Sequence, residues 1–162
     1  MADIEKLRKL CKLMVSANPG DHFHALDMRF TRLEEGKVLA ELPYSESIVG
    51  NPETGVIHGG ALTALLDTCS GFAAISALDD LAICPTMDLR VDYMRAAEPH
   101  KPVFASAEAY RVTRQVVFCR GVAYQDDINN PVAHCVANFI RLDPEVSAKM
   151  TQMIEPFLEG IE

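Results

Sequence analysis

Apolar residues recur along this chain with two different periods, and the switches between them outline its elements. Ile4, Leu7, Leu10, Leu13 and Met14 fall at helical spacing with Glu5, Lys6, Arg8, Lys9 and Lys12 between them, which predicts an amphipathic helix over 1–19 ended by Asn18-Pro19-Gly20. Two strand-like runs follow, His24–Arg32 and Lys37–Pro43, joined by a turn at Glu34-Glu35-Gly36. The turn-rich loop SESIVGNPETG then leads into GVIHGGALTALLDTCSGFAAISAL, Gly55–Leu78, apolar on most sides and long enough for a helix of roughly 30 Å. In TMDLRVDYM the alternation puts Met87, Leu89, Val91 and Tyr93 on one face and Asp88, Arg90 and Asp92 on the other. Val103–Thr113, Val116–Gln125 and Val132–Leu142 read as three more strands, separated by turn signals, and 143–162 as a short C-terminal helix.

The predicted order is therefore helix, two strands, long helix, four strands, short helix. Strands joined by short turns are expected to pair antiparallel. A helix apolar on most sides has to be covered on most sides. The pattern thus predicts an α+β fold, a strongly curved antiparallel sheet wrapped around a long central helix, with additional N- and C-terminal helices. One domain over 1–162 is expected, with its core over 24–142, since 162 residues with 49% hydrophobic and 23% charged residues suit one sizeable core. The long apolar stretch is broken by Asp67, Thr68, Ser70 and Ser76, so no membrane span or membrane partner is expected. The first residues carry Asp3 and Glu5 and match no targeting signal, which points to the cytoplasm.

Charge and motifs narrow the chemistry. A formal net charge of −8 argues against nucleic-acid binding. Between Arg90 and Arg120, however, six basic and three acidic residues give a local +3, either a solvated strand face or a site for an anionic small ligand. The five cysteines form no CxxC pair and read as buried, reduced thiols. His22 and His24 make an HxH that no further ligand pattern completes, so no metal is expected. Serine-hydrolase, P-loop and dinucleotide-binding signatures are absent.

Two features of the long helix point beyond packing. At its start, Gly59 and Gly60 either leave the unpaired N–H groups of a helix N-terminus open to an oxygen that carries developing negative charge or form a tight turn that needs glycine, and the motif by itself favours neither. Farther on, Asp67 is a carboxylate among apolar residues, which is costly unless partnered. Thr63, Thr68 and Ser70 are possible structural partners, and a catalytic role is the alternative. The two features are eight residues apart, about 12 Å along a helix, too far to touch one reacting carbonyl. If they cooperate, they do so across two antiparallel helices of a symmetric dimer.

His58-Gly59-Gly60, then Asp67, Gly71 and Ala73, then TMDLRVDYMRAAEP, resemble the hotdog-fold acyl-CoA thioesterases of the PaaI type, in the 4-hydroxybenzoyl-CoA thioesterase-like superfamily. The likeness covers roughly 24–142. It implies a sheet wrapped around a helix, homodimers with active sites shared between subunits, often homotetramers, and hydrolysis of an acyl-CoA without metal or organic cofactor. Carried over, Gly59 supplies the N–H that polarises the thioester carbonyl, and Asp67 of the other subunit activates water or attacks. Thr86 positions that water, and His58 orients the site. The asparagine that relatives place six residues before the histidine is replaced by Pro52, with Asn51 one position earlier as the substrate-binding candidate beside Gly60. Arg111 and Arg114 are candidates for CoA phosphates, although threonine stands at 113 where relatives commonly have glycine. Phe72 and Ile75 are expected along the acyl tunnel. A non-catalytic acyl-CoA-binding hotdog protein and a hotdog enoyl-thioester hydratase or dehydratase are the alternatives.

Overall fold

The computed structural model describes residues 5, 7–9, 11–12, 21–79 and 82–159. At the predicted N-terminal helix the described positions are helical, with Leu7 and Cys11 buried; its other positions lie outside the described residues. The elements that follow are α1 (His22–Ala25), β1 (Arg29–Glu34), β2 (Lys37–Leu42), a 3-10 turn (Glu46–Ile48), β3 (Val49–Asn51), β4 (Val56–Ile57) and α2 (Gly59–Ser76). Then come β5 (Thr86–Tyr93), β6 (Val103–Val112), β7 (Val116–Tyr124), β8 (Ala133–Ile140) and α3 (Pro144–Glu159). Residues 160–162 of the predicted last helix lie outside the described residues.

The predicted strand His24–Arg32 needs correction, because His24 and Ala25 belong to the helical turn α1, a turn follows, and the strand begins only at Arg29. Asp21 caps that turn, accepting from the His24 N–H at 2.9 Å and lying 2.6 Å from His24 Nδ1. Local capping of this kind overrides a short apolar alternation. It also occupies His24, and no cluster of His, Cys, Asp and Glu among the described residues could hold a metal ion.

Six strands form one antiparallel sheet in the order β1-β2-β6-β7-β8-β5, curved around α2. β5 and β6, consecutive in sequence and joined by a short turn-rich segment, are not neighbours, contrary to the pairing expected from the turns. The crossing of α2 over the sheet delivers the chain from β2 to the far edge, where β5 pairs with β8. The 94–102 segment then returns past two strands so that β6 can pair with β2.

The sheet holds its helix closely because its concave face is lined by small residues. Ala40, Ala105, Ala107, Ala123, Ala133 and Ala137 are buried there, and Leu62, Leu65, Leu66, Cys69 and Phe72 fill the space from the helix side. At Gly121 a Cβ would come within 2.9 Å of Cys135 Sγ and 3.4 Å of Ser70 Oγ. Interdigitation of small and large faces gives the close packing that a core needs. All five cysteines are buried and reduced, as expected. The convex face is mixed, with Lys37 and Arg120 both paired to Glu108 and with Phe104 beside Tyr124 and Tyr110 beside Phe118. No helix among the described residues is long and apolar enough to cross a membrane.

Burial along α2 is uneven in one informative way. Gly60, Thr63, Ala64, Asp67 and Thr68 are less buried than their neighbours, and their spacing places them on one stripe of the helix. Beside that stripe runs β5, a sheet edge. The carboxylate in the apolar helix therefore lies on the one flank that the sheet leaves open.

Candidate active site

The start of α2 is built by its neighbours in the preceding loop. The His58 N–H donates to the Ile48 carbonyl at 2.8 Å. Gly50 permits this approach, since a Cβ there would lie 2.8 Å from His58 Cα. His58 is the helix N-cap, and its Nδ1 accepts from the Gly60 N–H at 2.9 Å. An accepting Nδ1 puts the ring hydrogen on Nε2. The Gly59 N–H, next to it, has no acceptor among the described residues. It is one of the orphan donors of a helix start, directed outward from the positive end of the helix dipole.

Tyr93, at the end of β5, meets Gly59 from the other side. Its hydroxyl donates to the Gly59 carbonyl at 2.8 Å and lies 2.6 Å from Thr63 Oγ1, which itself donates to the same carbonyl at 3.2 Å. The sequence singled out neither residue for the site. Thr63 was expected only as a partner of Asp67, whereas it faces Gly59 and Tyr93.

Asp67 is half-buried and accepts from the Thr86 hydroxyl at 2.9 Å. Thr86 reaches it because of a β-bulge. The β5–β8 register moves from Thr86↔Phe139 to Asp88↔Asn138, which leaves Met87 unpaired. A bulge reverses the alternation locally, so Thr86 shares the helix-facing side with Leu89, Val91 and Tyr93 while Met87 is 59% exposed. The predicted face of β5 is thus corrected at Met87. Ser70, another anticipated partner, lies 3.7 Å from Cys135 Sγ instead. Burial pushes the Cys135 thiol up, and the nearby Asp67 carboxylate adds to that rise.

One helix and one edge strand therefore hold two groups, His58, Gly59, Gly60, Thr63 and Tyr93 at the helix start and Asp67 with Thr86 two turns farther along. An open cleft of about 490 Å³ adjoins the helix start, lined by His22, Leu26, Ser47, Val49, His58 and Gly60 among others. A larger concavity, about 800 Å³, lies on the convex side of the sheet between Lys37, Glu108, Arg120 and His134, across the sheet from α2. Its charges largely pair with each other.

The remaining candidates are placed differently. Asn51 Oδ1 accepts from the Glu53 N–H at 3.0 Å, and its carbonyl accepts from the Gly55 N–H at 2.8 Å. Its amide oxygen is committed to the turn of its own loop. Of the six basic residues between Arg90 and Arg120, four are engaged: Arg90 with Asp92, Arg95 with the Ala96 and Asn130 carbonyls, Lys101 with Glu98 and Asp126, and Arg120 with Glu108. Arg111 and Arg114 are exposed and without an ion-pair partner among the described residues. A bulge at Tyr110 pairs Arg111 with Phe118, on the convex face, so one chain does not bring it to Asp67. Arg114 sits at the tip of the β6–β7 hairpin, where Thr113 Oγ1 closes the turn with both the N–H and the carbonyl of Val116. Phe72 and Ile75 are buried; Phe72 packs 4.5 Å from the Phe30 ring centroid.

With this geometry in view, comparison with known proteins is specific. The thioesterase superfamily profile matches residues 54–132, which include α2 and β5 through β7. A protein of known structure from Pseudomonas aeruginosa is 46% identical, covering 85% of this chain and 99% of that one, with a TM-score of 0.73. The PaaI protein from the Escherichia coli phenylacetic acid degradation operon shares the fold at 17% identity, covering 86% of this chain and 96% of that one, with a TM-score of 0.74. A Halobacterium salinarum protein provisionally named an esterase is 36% identical over 81 residues, 48% of this chain and 52% of the relative. The chain spans about half the length of the curated relatives it matches. The chain belongs to the thioesterase superfamily and carries the hotdog fold of its PaaI-type members.

Proposed function

We propose that this protein is an acyl-CoA thioesterase whose site is completed by a second copy of the chain. The observation that supports this most directly is the pairing of an unsatisfied Gly59 N–H with a half-buried Asp67, both on the open flank of α2. The helix is continuous from Gly59 to Ser76, so the two groups are about 12 Å apart along one chain. Two α2 helices packed antiparallel about a two-fold axis set Gly59 of one beside Asp67 of the other. The open stripe of glycine, alanine, threonine and aspartate is small enough for close approach. β5 supports the same seam. It is an edge strand with Met87 59% and Tyr93 53% exposed. Pairing of two such dimers into a tetramer is the further assembly implied by the family.

In the proposed reaction the thioester carbonyl accepts from the Gly59 N–H of one subunit at the positive end of the helix. Asp67 of the other takes a proton from water as the water oxygen bonds to the carbonyl carbon. Thr86 donates to Asp67 Oδ1, fixing the carboxylate and leaving Oδ2 to face the water. Collapse of the tetrahedral species breaks the C–S bond, and the proton held by Asp67 passes to the CoA sulfur. A thioester lacks much of the resonance of an oxygen ester, so one carboxylate and one oxyanion donor are adequate machinery. Arg111 or Arg114 would meet CoA phosphates only from a neighbouring subunit.

The hydratase alternative asks His58 to move protons, yet its Nδ1 is already bonded to Gly60. A panel of acyl-CoAs, followed together for free thiol and enoyl absorbance, decides among the three. Thiol release lost in Asp67→Ala supports the hydrolase. Enoyl change without thiol indicates the hydratase, and binding without turnover the carrier.

A further inference from the structure

We infer that Tyr93 is a positioning residue that holds the carbonyl-polarising Gly59 peptide in place from the edge strand; this rests on the thioesterase reading above. The helix begins with two consecutive glycines, the residues with the greatest backbone freedom and low helix propensity. The first turn of any helix also lacks intrahelical bonds for its N–H groups. The donor that must meet a carbonyl with ångström accuracy thus sits in the intrinsically softest part of α2.

Two side chains counter that softness from opposite flanks. His58 holds the Gly60 N–H through Nδ1. Tyr93 donates to the Gly59 carbonyl at 2.8 Å, and Thr63 has one hydroxyl hydrogen to give either to that carbonyl at 3.2 Å or to the Tyr93 oxygen at 2.6 Å, where it fixes the tyrosine. The Tyr93 ring also closes on the glycine itself, since a Cβ at Gly59 would lie 3.3 Å from three of its atoms. The contact is long-range in sequence and comes from a strand that is itself tied to α2 by Thr86 and Asp67. β5 is therefore fastened to the helix at both proposed catalytic positions. A tyrosine serving only to pack needs no partner inside the helix; this one spends its hydroxyl on a helix carbonyl.

Tyr93→Phe keeps the ring and removes the latch. The expected result is a fall in kcat of roughly fivefold to tenfold, the worth of one hydrogen bond, with KM within about twofold and Tm unchanged. Thr63→Val should give a smaller fall, and the double variant should lose less than the product of the two, because they share one carbonyl. Wild-type kcat in Tyr93→Phe overturns the inference. So does a variant whose Tm falls while the kcat of its folded fraction stays normal, which marks a structural tie only. If the wild-type protein releases no thiol from any acyl-CoA, the hydrolase reading fails by itself. Hydrogen exchange of the Thr63 amide, which faces the Gly59 carbonyl along the helix, then tests the latch: faster exchange in Tyr93→Phe supports it, and unchanged exchange overturns it.

Discussion

Asp67 and Thr86 show how much a single side chain's direction matters. Removing the proposed base, Asp67→Ala, should lower kcat for thiol release by about 10²–10⁴ with the fold intact. Thr86→Val should cost about tenfold, the scale of one hydrogen bond to a carboxylate, and circular dichroism should show no change. A stronger effect from Thr86→Val than from Asp67→Ala would reverse the assigned roles. The types and spacing of Asp67, Gly59 and His58 were legible in the sequence because a carboxylate in an apolar helix and two glycines at its start are both unusual. The direction of Thr86 was not derivable from alternation, since the Met87 bulge is set by pairing with β8. Tyr93 was hidden for a similar reason. Its place in TMDLRVDY marks it as a strand residue, and only the tertiary approach of β5 to the helix start reveals the bond to Gly59.

At the level of elements, the long helix and all four later strands followed from periodicity, with ends moved by at most a few residues. The α1 turn did not, because a local cap from Asp21 outweighs the short apolar run it interrupts. Nor did the separation of β5 from β6, since turn composition says how sharply a chain bends and not which strand it will meet. The close seating of α2 gives a prediction of its own. Gly121→Ala places a Cβ against Cys135 Sγ at 2.9 Å and should destabilise the protein by about 1–3 kcal/mol, read as a lower urea midpoint. Combining it with Cys135→Ala, which removes that sulfur, should restore part of the loss. Equal stability of the single and double variants would mean that the strain is relieved elsewhere.

For the whole molecule, the buried thiols set an alkaline limit. Burial pushes Cys11, Cys69 and Cys119 each up to about 12, against an unfolded value near 9. Below that unfolded value these groups are protonated in both states, and their contribution to stability is fully present. As pH rises from about 9 towards 12 the unfolded chain loses protons that the folded one keeps, so stability falls. Urea midpoints between pH 8 and 11 should show this decline, and Cys69→Ala should make it shallower; an unchanged slope would place the alkaline sensitivity on other groups.

Assembly is the larger matter at this scale, because a single chain leaves the proposed donor, the Gly59 N–H, and the Asp67 carboxylate about 12 Å apart. Subunit mixing tests that directly. Asp67→Ala and Gly59→Val proteins, each inactive by itself, are exchanged under mild denaturation and assayed for thiol release from an acyl-CoA that the wild type hydrolyses. Random pairing makes half of the dimers mixed, each with one intact site, so about a quarter of wild-type activity should return. No recovery, with subunit exchange verified by differently tagged chains, would contradict a site shared between two copies.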